Sequence, residues 1–500
     1  MRFAEIYCDT VVSAEELGGM WQLIQTFSRD YLAQTSATMK VFIPTLLRFL
    51  TTVQDKSYES STTEDRRVRK EGQDVYQRVL DYCILIAGRS FDQGIWLRRT
   101  NVYEREENAA SSEKLTLHDP ITTDIGRNTI SGSTINMYIA NSVIPKLKHL
   151  IADQDRINSV LNNLVYYVIG PALKTKPSLS RMAVIIDQIA EMAKLTFTYR
   201  IWRKEVWDLF LDNRFFYMSA STAQKWRVIL QTVMSSEKER FVEVANRIST
   251  SPSTTLFSNR EQEAHARALN LRRLTFILFT GTTDQFISQL PIIQEKLVEL
   301  LKLDHNELIH VEIYLCLRVM LTRFSQRHLT NFWPVILTEM MRLFNSFLDN
   351  GLTEKPEEAQ IALAGCKFLD LLCTLETDTF QIYQWIFIRD DIDALLQKRE
   401  SSPPIIDRFA EKLASTSIDS DPAHTDQNNY APNIDASSGE RKRPMLTMRN
   451  ISSVHQLEFF VNHLSLYVYQ ANLSLAPPDM MFIMGLLQND LLDGDMDQRP

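Results

Sequence analysis

Apolar side chains recur at three- and four-residue intervals in one segment after another, with polar residues between them, and strand-like alternation is scarce. The spacing predicts helices over 14–33, 37–54, 66–89, 134–151, 154–170, 178–195, 197–211, 222–247, 261–280, 284–302, 306–325, 329–349, 356–375, 379–389, 451–474 and 478–492. The expected class is therefore all-α. Start signals support several of these helices. Ser13 stands before AEEL with Glu16 three residues on, Thr283 precedes Asp284, and Pro356 with Glu357 and Glu358 has the form of an N1 proline followed by first-turn acids. Asn350-Gly351 reads as a left-handed stop.

Two stretches depart from the pattern. Residues 100–133, with Ala109-Ala110-Ser111-Ser112, Asp119-Pro120 and Gly132, read as a polar loop, and residues 412–450 are too poor in apolar side chains to pay for folding and read as a disordered linker. A shorter polar run at 55–70 reads as a loop or a helix entry. The expected organisation is an N-terminal helical segment (1–99), the polar loop (100–133), a helical repeat body (134–411), the linker (412–450) and a C-terminal helical pair (451–500).

The clearest repeats lie at 284–376. At an offset of 43, QFISQLPIIQEKLVELL aligns with HLTNFWPVILTEMMRLF, pairing Leu290 with Trp333, Pro291 with Pro334, Ile293 with Ile336, Leu297 with Met340, Leu300 with Leu343 and Leu301 with Phe344. Each of these helices is followed by a second amphipathic one. The unit is a helical hairpin of the size of HEAT or armadillo repeats, and the fold expected is a helical-hairpin solenoid with disordered linkers. The proline is read as a bend within the first helix. Trp333 is expected in the core.

Composition narrows the functions. With 54 Lys+Arg against 62 Asp+Glu, the net charge of −8 disfavours nucleic acid as a partner. Five scattered Cys, at 8, 83, 316, 366 and 373, contain no CxxC and suit a reducing compartment rather than a disulfide frame or a zinc site. The opening MRFAEIYCDTVVSAEEL lacks the apolar run of a signal peptide. The most apolar stretches, 161–173 and 274–281, fall short of the ~20 residues that cross a bilayer, so any membrane contact is expected to be peripheral.

No nucleotide-binding, hydrolase or dinucleotide fingerprint appears, and no catalytic, cofactor-binding or metal residue is assigned. His305 and His310 are spaced five apart, which misses a shared helix face. Cys366 and Cys373 are read as small buried hydrophobes, Asp390, Asp391 and Asp393 as a solvated terminus, and the aromatic group of Trp202, Trp207, Phe210, Phe215, Phe216 and Tyr217 as core. The basic clusters are Arg66, Arg67, Arg69 and Lys70; Arg98 and Arg99; Arg200, Arg203 and Lys204; and Arg441, Lys442 and Arg443. Each is a candidate for anionic lipid, and the last also for a nuclear localisation signal. Leu457, Leu464 and Ala471 keep a heptad spacing that suits either a coiled coil or an ordinary packed helix.

At FWPVILTEMMRLF (332–344), ALAGCKFLDLLCTL (362–375) and FQIYQWIFI (380–388), with EGQDVYQRVLDYCILIAGRS (71–90) further upstream, the sequence resembles the C-terminal region of the Dopey family of large trafficking proteins. Because such proteins are far longer, the resemblance implies a C-terminal portion or a shortened chain. It also implies a non-enzymatic scaffold, cytosolic and peripheral on Golgi (trans-Golgi network) and endosome membranes, that acts in protein transport between endosomes and Golgi. The partners implied are a Sec7-related large trafficking scaffold and a P-type ATPase phospholipid flippase, with links to kinesin and to anionic phosphoinositide membrane. A helical-repeat adaptor for nuclear transport or phosphatase assembly is the alternative from another class, and an enzyme the third.

Overall fold

The structure, a computed structural model, describes residues 43–59, 63–107, 132–175, 179–249, 260–303, 306–350, 355–389, 403–416 and 441–493, together with Thr26 and Ser28. Among these the fold is all-α, with one isolated bridge between Lys442 and Pro478 and no strand. Ser13, His305, Gly351 and Asp390, Asp391 and Asp393 lie outside the described residues, as does the predicted helix at 14–33 apart from Thr26 and Ser28. The chain divides into two compact units, Met1–Phe215 with Ser221–Ser236, and Phe216–Ala220 with Glu237–Pro500.

In the first unit, α1 (Ile43–Glu59) packs against the long α2 (Thr63–Glu107). Residues 100–107, read from sequence as loop, are thus helical, and 63–70 from the run read as a loop or a helix entry begin the helix. The segment GIWLRRTNVYEREE contains no proline, and its Leu, Arg and Glu residues are good helix formers that outweigh the single Asn101. Next come α3 (132–150), α4 (154–174), α5 (Leu179–Ala193), α6 (Tyr199–Phe210) and α7 (Ala220–Ser236). Both α3 and α4 contain a π-helical stretch, Ile139–Val143 and Val165–Ile169, each ending two residues before a proline, Pro145 and Pro171. A proline lacks the N–H and crowds the carbonyl four residues back, and a widened turn relieves that conflict without ending the helix. This is why α4 runs on to Lys174 instead of stopping at Gly170. Gly88 in α2 is needed where α4 passes: a Cβ there would lie 2.4 Å from the Tyr167 carbonyl oxygen. Trp202, Trp207, Phe210 and Phe215 are buried with Trp226, as the core reading predicts.

The second unit is a ladder of hairpins. Its helices are α8 (Glu239–Ser249), α9 (Arg260–Thr280), α10 (Leu290–Leu301), α11 (Glu307–Arg323), α12 (Trp333–Asn350), α13 (Pro356–Leu375), α14 (Ile405–Thr416), α15 (Glu458–Leu473) and α16 (Met480–Leu491). Within each hairpin α8 packs on α9, α10 on α11, α12 on α13 and α14 on α15. Along the inner row α9 packs on α11, α11 on α13 and α13 on α15. Four hairpins therefore stack where the sequence offset revealed two.

The predicted helix 222–247 is in fact two, α7 and α8, broken at Glu237–Lys238, where Arg240 bridges Glu237 and Glu243 at 2.8 Å each. Helix α14 lies outside the helices that the spacing predicts. Residues 412–416 and 441–450, assigned to the linker, are ordered at its two ends. The buried Leu446 and the polar contacts of 442–443 hold the second stretch, whose few apolar residues are outweighed by the polar run before them in a reading of composition alone.

The offset of 43 is borne out to the level of burial. Leu290, Ile293, Leu297 and Leu300 are buried, as are Trp333, Ile336, Met340 and Leu343, while Pro291 and Pro334 are exposed. Each helix follows a 3-10 turn, Ile287–Gln289 and Thr330–Phe332. The prolines are thus the second residues of their helices and start them rather than bend them. Asp284 does not cap a helix directly. It sits at φ 58°, and its carboxylate accepts hydrogen bonds from the Ser325 N–H and hydroxyl (2.8 and 2.5 Å), tying one inter-hairpin loop to the next. Those bonds hold the Asp284 carboxyl below its ordinary pKa. At Gly365 a Cβ would lie 2.4 Å from a Leu343 methyl, so glycine sets how closely α12 approaches α13.

Trp333 is 2% exposed and stacks 6.4 Å from Phe380. Replacing it with Ala is expected to cost about 3–5 kcal/mol, read as a lower denaturant midpoint at unchanged slope. An unchanged midpoint would mean that Trp333 is a contact residue instead.

Candidate functional site

Three features of the second unit could do more than pack. The first is a polar cavity of about 320 Å³ whose lining includes Tyr217, Arg272, Glu312, Arg318, Lys367, Arg449, Asp490 and Asp493. Three successive inner helices supply Arg272 (α9), Glu312 and Arg318 (α11) and Lys367 (α13), and α16 with the residues after it supplies Asp490 and Asp493. Arg272 bonds Glu312 and Asp493 at 2.5 Å each, while Arg318 at 2.7 Å and Lys367 at 2.8 Å converge on Asp490. Burial raises the Asp490 pKa, but Arg318 and Lys367 outweigh it and hold the carboxyl below its ordinary value. Burial and then Arg318 bring Lys367 down to about 8. One turn on, Asp370 is fully buried and accepts a 2.7 Å bond from the Leu446 N–H. Burial pushes its carboxyl up to about 7 against that bond and the nearby cations. Each cation already faces an acid, except Arg449 at the exposed rim, so the arrangement clamps α16 across the hairpins.

The second feature is a knuckle after α13. Glu376 ends that helix in the left-handed conformation (φ 48°), and its carboxylate pairs with the buried Lys442 at 2.5 Å. Two single-turn helices follow, Asp378–Gln381 and Gln384–Phe387, in place of the one helix expected over 379–389. Phe380, Phe387 and Ile388 are buried, with Phe387 against Phe344. Between these anchors Ile382 and Trp385 are 66% and 62% exposed, with Tyr383 beside them.

The third is the tip between α15 and α16. Leu457, Leu464 and Ala471 are buried against the chain's own α13 and α14, so the heptad is ordinary packing. Outward lie Leu466, Tyr469, Leu473, Leu475, Met480 and Met481. Of the basic triplet, Lys442 is buried, whereas Arg443 bonds Asp479 at 2.7 Å and covers the Phe482 ring, which fixes the triplet beside the tip. Spacing could not have brought 441–443 to 477–479, but the absence of Lys and Arg from 459–489 is visible in the sequence.

His310 and four of the cysteines are structural. His310 is buried, 2.9 Å from the Asn306 carbonyl and from Arg342. Cys83, Cys316, Cys366 and Cys373 are buried free thiols, and burial pushes that of Cys316 up to about 12. Among the described residues no group of three or more His, Cys, Asp or Glu is placed to hold a metal ion, and no helix is long and apolar enough to cross a membrane.

Removing Asp490 as Ala leaves two buried cations unpaired and is expected to cost about 3–5 kcal/mol of unfolding free energy, with part of the loss recovered by adding Lys367→Met. The raised Asp370 pKa has the opposite sign from a salt-bridged acid. Between about pH 4 and 7 the folded chain keeps a proton that the unfolded chain releases, so this group's contribution falls as pH rises. Asp370→Asn should therefore raise the thermal midpoint relative to wild type at about pH 8 and lose that advantage at about pH 5. A difference independent of pH would show that the carboxyl is ionised throughout.

Comparison with known proteins gives this arrangement its family. Residues 7–473 match the family described as DOP1 C-terminal. Protein DOP1 homolog of Drosophila melanogaster is 26% identical over 430 residues, 76% of this chain and 16% of its own. Protein DOP1B of Mus musculus is 28% identical over 398 residues, 71% and 17% of the two chains. Protein dop1 of Emericella nidulans is 25% identical over 488 residues, 93% and 25%. The chain thus spans 16–17% of the length of the first two. No solved structure matches it. With a family match over nearly its whole length, the chain belongs to the Dopey (DOP1) family and corresponds to its C-terminal region.

Proposed function

We propose that the chain is a non-enzymatic scaffold in vesicle-mediated transport between endosomes and Golgi, peripheral on the membranes of both compartments, and that it works by binding partner proteins. Family membership supports a trafficking-related role, and the names of the relatives indicate no enzyme. The partners implied by the resemblance, a Sec7-related scaffold and a P-type flippase, together with kinesin and phosphoinositide membrane, belong to this proposal.

The observation that carries the reading is the knuckle. An exposed tryptophan flanked by Ile382 and Tyr383, on a turn clamped by buried phenylalanines, has the make-up of a preorganised protein-binding hot spot. The charged cavity, by contrast, is spent on its own ion pairs.

Affinity capture of the tagged chain from cells of its source, read by mass spectrometry, tests this. Trp385→Ala is expected to lose a partner by about tenfold or more at unchanged thermal midpoint, since hot-spot truncations cost about 2 kcal/mol or more. Recovery of importins or phosphatase subunits would favour the adaptor reading, and an unaltered set of partners would remove the knuckle from the interface.

A further inference from the structure

Between Glu458 and Asp490 the chain holds no Lys or Arg and a single acid, Asp479. That acid is buried and occupied by Arg443. Thirty-one residues of folded surface helix thus present no free charge to solvent apart from whatever His463 carries, which is unusual for a protein exterior. The apolar side chains concentrate at one end: Leu473 is 71% exposed, Leu475 fully so and Met481 77%, with Met480 alongside. They project from the turn at Ser474–Asp479, which Pro477 and Pro478 stiffen. Two backbone bonds to Lys442 fasten it, its N–H to the Pro477 carbonyl (3.1 Å) and its carbonyl from the Asp479 N–H (2.8 Å). The same bonds place exposed Arg441 and half-exposed Arg443 at the base of the projection, and the Tyr467 hydroxyl donates to the Arg443 carbonyl.

We infer that this tip is a lipid-inserting element, in which Leu473, Leu475, Met480 and Met481 enter the acyl boundary of a bilayer while Arg441 and Arg443 lie at the level of anionic headgroups. The inference rests on the reading of the protein as peripheral on membranes and names the surface that would do it. A protein partner would favour a groove or a flat face that receives a helix, whereas these side chains are exposed at a turn and at the two helix ends that it joins. Burying them in hydrocarbon needs no shape match. Charge is complementary as well: Arg443 cancels Asp479, exposed Arg441 adds a cation beside the tip, and 459–489 holds no other acid to face the headgroups. Tyr469, one turn before Leu473 and exposed, has the apolar ring and polar end of an interfacial aromatic.

The chain is floated with vesicles of phosphatidylcholine, with and without phosphatidylserine, and compared with Leu475→Glu combined with Met481→Glu. Wild type is expected to float, more strongly with phosphatidylserine, and the double variant to partition about a hundredfold less, as the loss of two buried apolar side chains implies. A chain that stays in the soluble fraction, or a double variant that floats like wild type, overturns the inference. The scaffold reading would then stand or fall separately on partner capture at Trp385. Light scattering that shows a dimer dissolved by the double variant would assign the tip to a second copy instead. Leu475→Trp, at a fully exposed position where folding is not at stake, supplies an independent readout. Its emission should shift to the blue on adding phosphatidylserine vesicles, and an unmoved spectrum overturns the inference even if flotation is seen.

Discussion

Every hairpin in the second unit has one helix that it cannot cover by itself. Helix α13 shows this most plainly: from Ala359 to Thr374 nearly every residue is buried, including Gly365, Lys367 and Asp370. Such a helix is insoluble alone and folds only between α11 on one side and α15 on the other, with α12 across its back. The need to cover the inner row therefore sets the order of the helices, the near-regular spacing of the hairpins and the close approach at Gly365. It also explains why the segment at 441–450, which looks dispensable in sequence, is ordered where it meets α13.

Burying charge inside that row has a structural purpose. Lys367 and Asp490 are 123 residues apart, and Arg272 and Asp493 are 221 apart, yet both pairs close at one cavity. Hydrophobic packing tolerates a slip of one helix turn, but a guanidinium or ammonium left without its carboxylate does not. The acids of the α16 end therefore fix that helix against three inner helices at once. Asp370 works in the reverse sense: burial favours its protonated carboxyl, while the backbone N–H bonds it accepts tie 445–446 to α13.

The helical class, the position of most helices and the 43-residue repeat are legible in the sequence because they rest on periodicity, which local residues carry. What escaped is what depends on distant partners. The π-turns before Pro145 and Pro171 read as a continuous helix and as a helix end. Arg441–Arg443 read as a free basic triplet because Glu376 and Asp479, which hold it, lie far away in sequence. Helix α14 lay between polar runs. The exposed knuckle at Ile382–Trp385 was spanned by one predicted helix, since its periodicity reports the buried Phe380, Phe387 and Ile388 but not the outward residues between them.

The two apolar surfaces differ in a way that bears on what each can meet. At the knuckle Ile382, Tyr383 and Trp385 are exposed on a chain folded back on itself between buried phenylalanines, and the two aromatic rings have few rotatable bonds to order when a partner arrives. At the tip they are chiefly leucines and methionines, with more rotatable bonds apiece, above a backbone held by its bonds to Lys442. Ordering such side chains against a specific protein surface would cost rotamer entropy that a fluid hydrocarbon phase does not demand. An aromatic-rich patch for a protein and an aliphatic tip for a lipid surface are therefore the assignments that lose least on binding, and one unit can carry both because the repeat fixes the backbone under each.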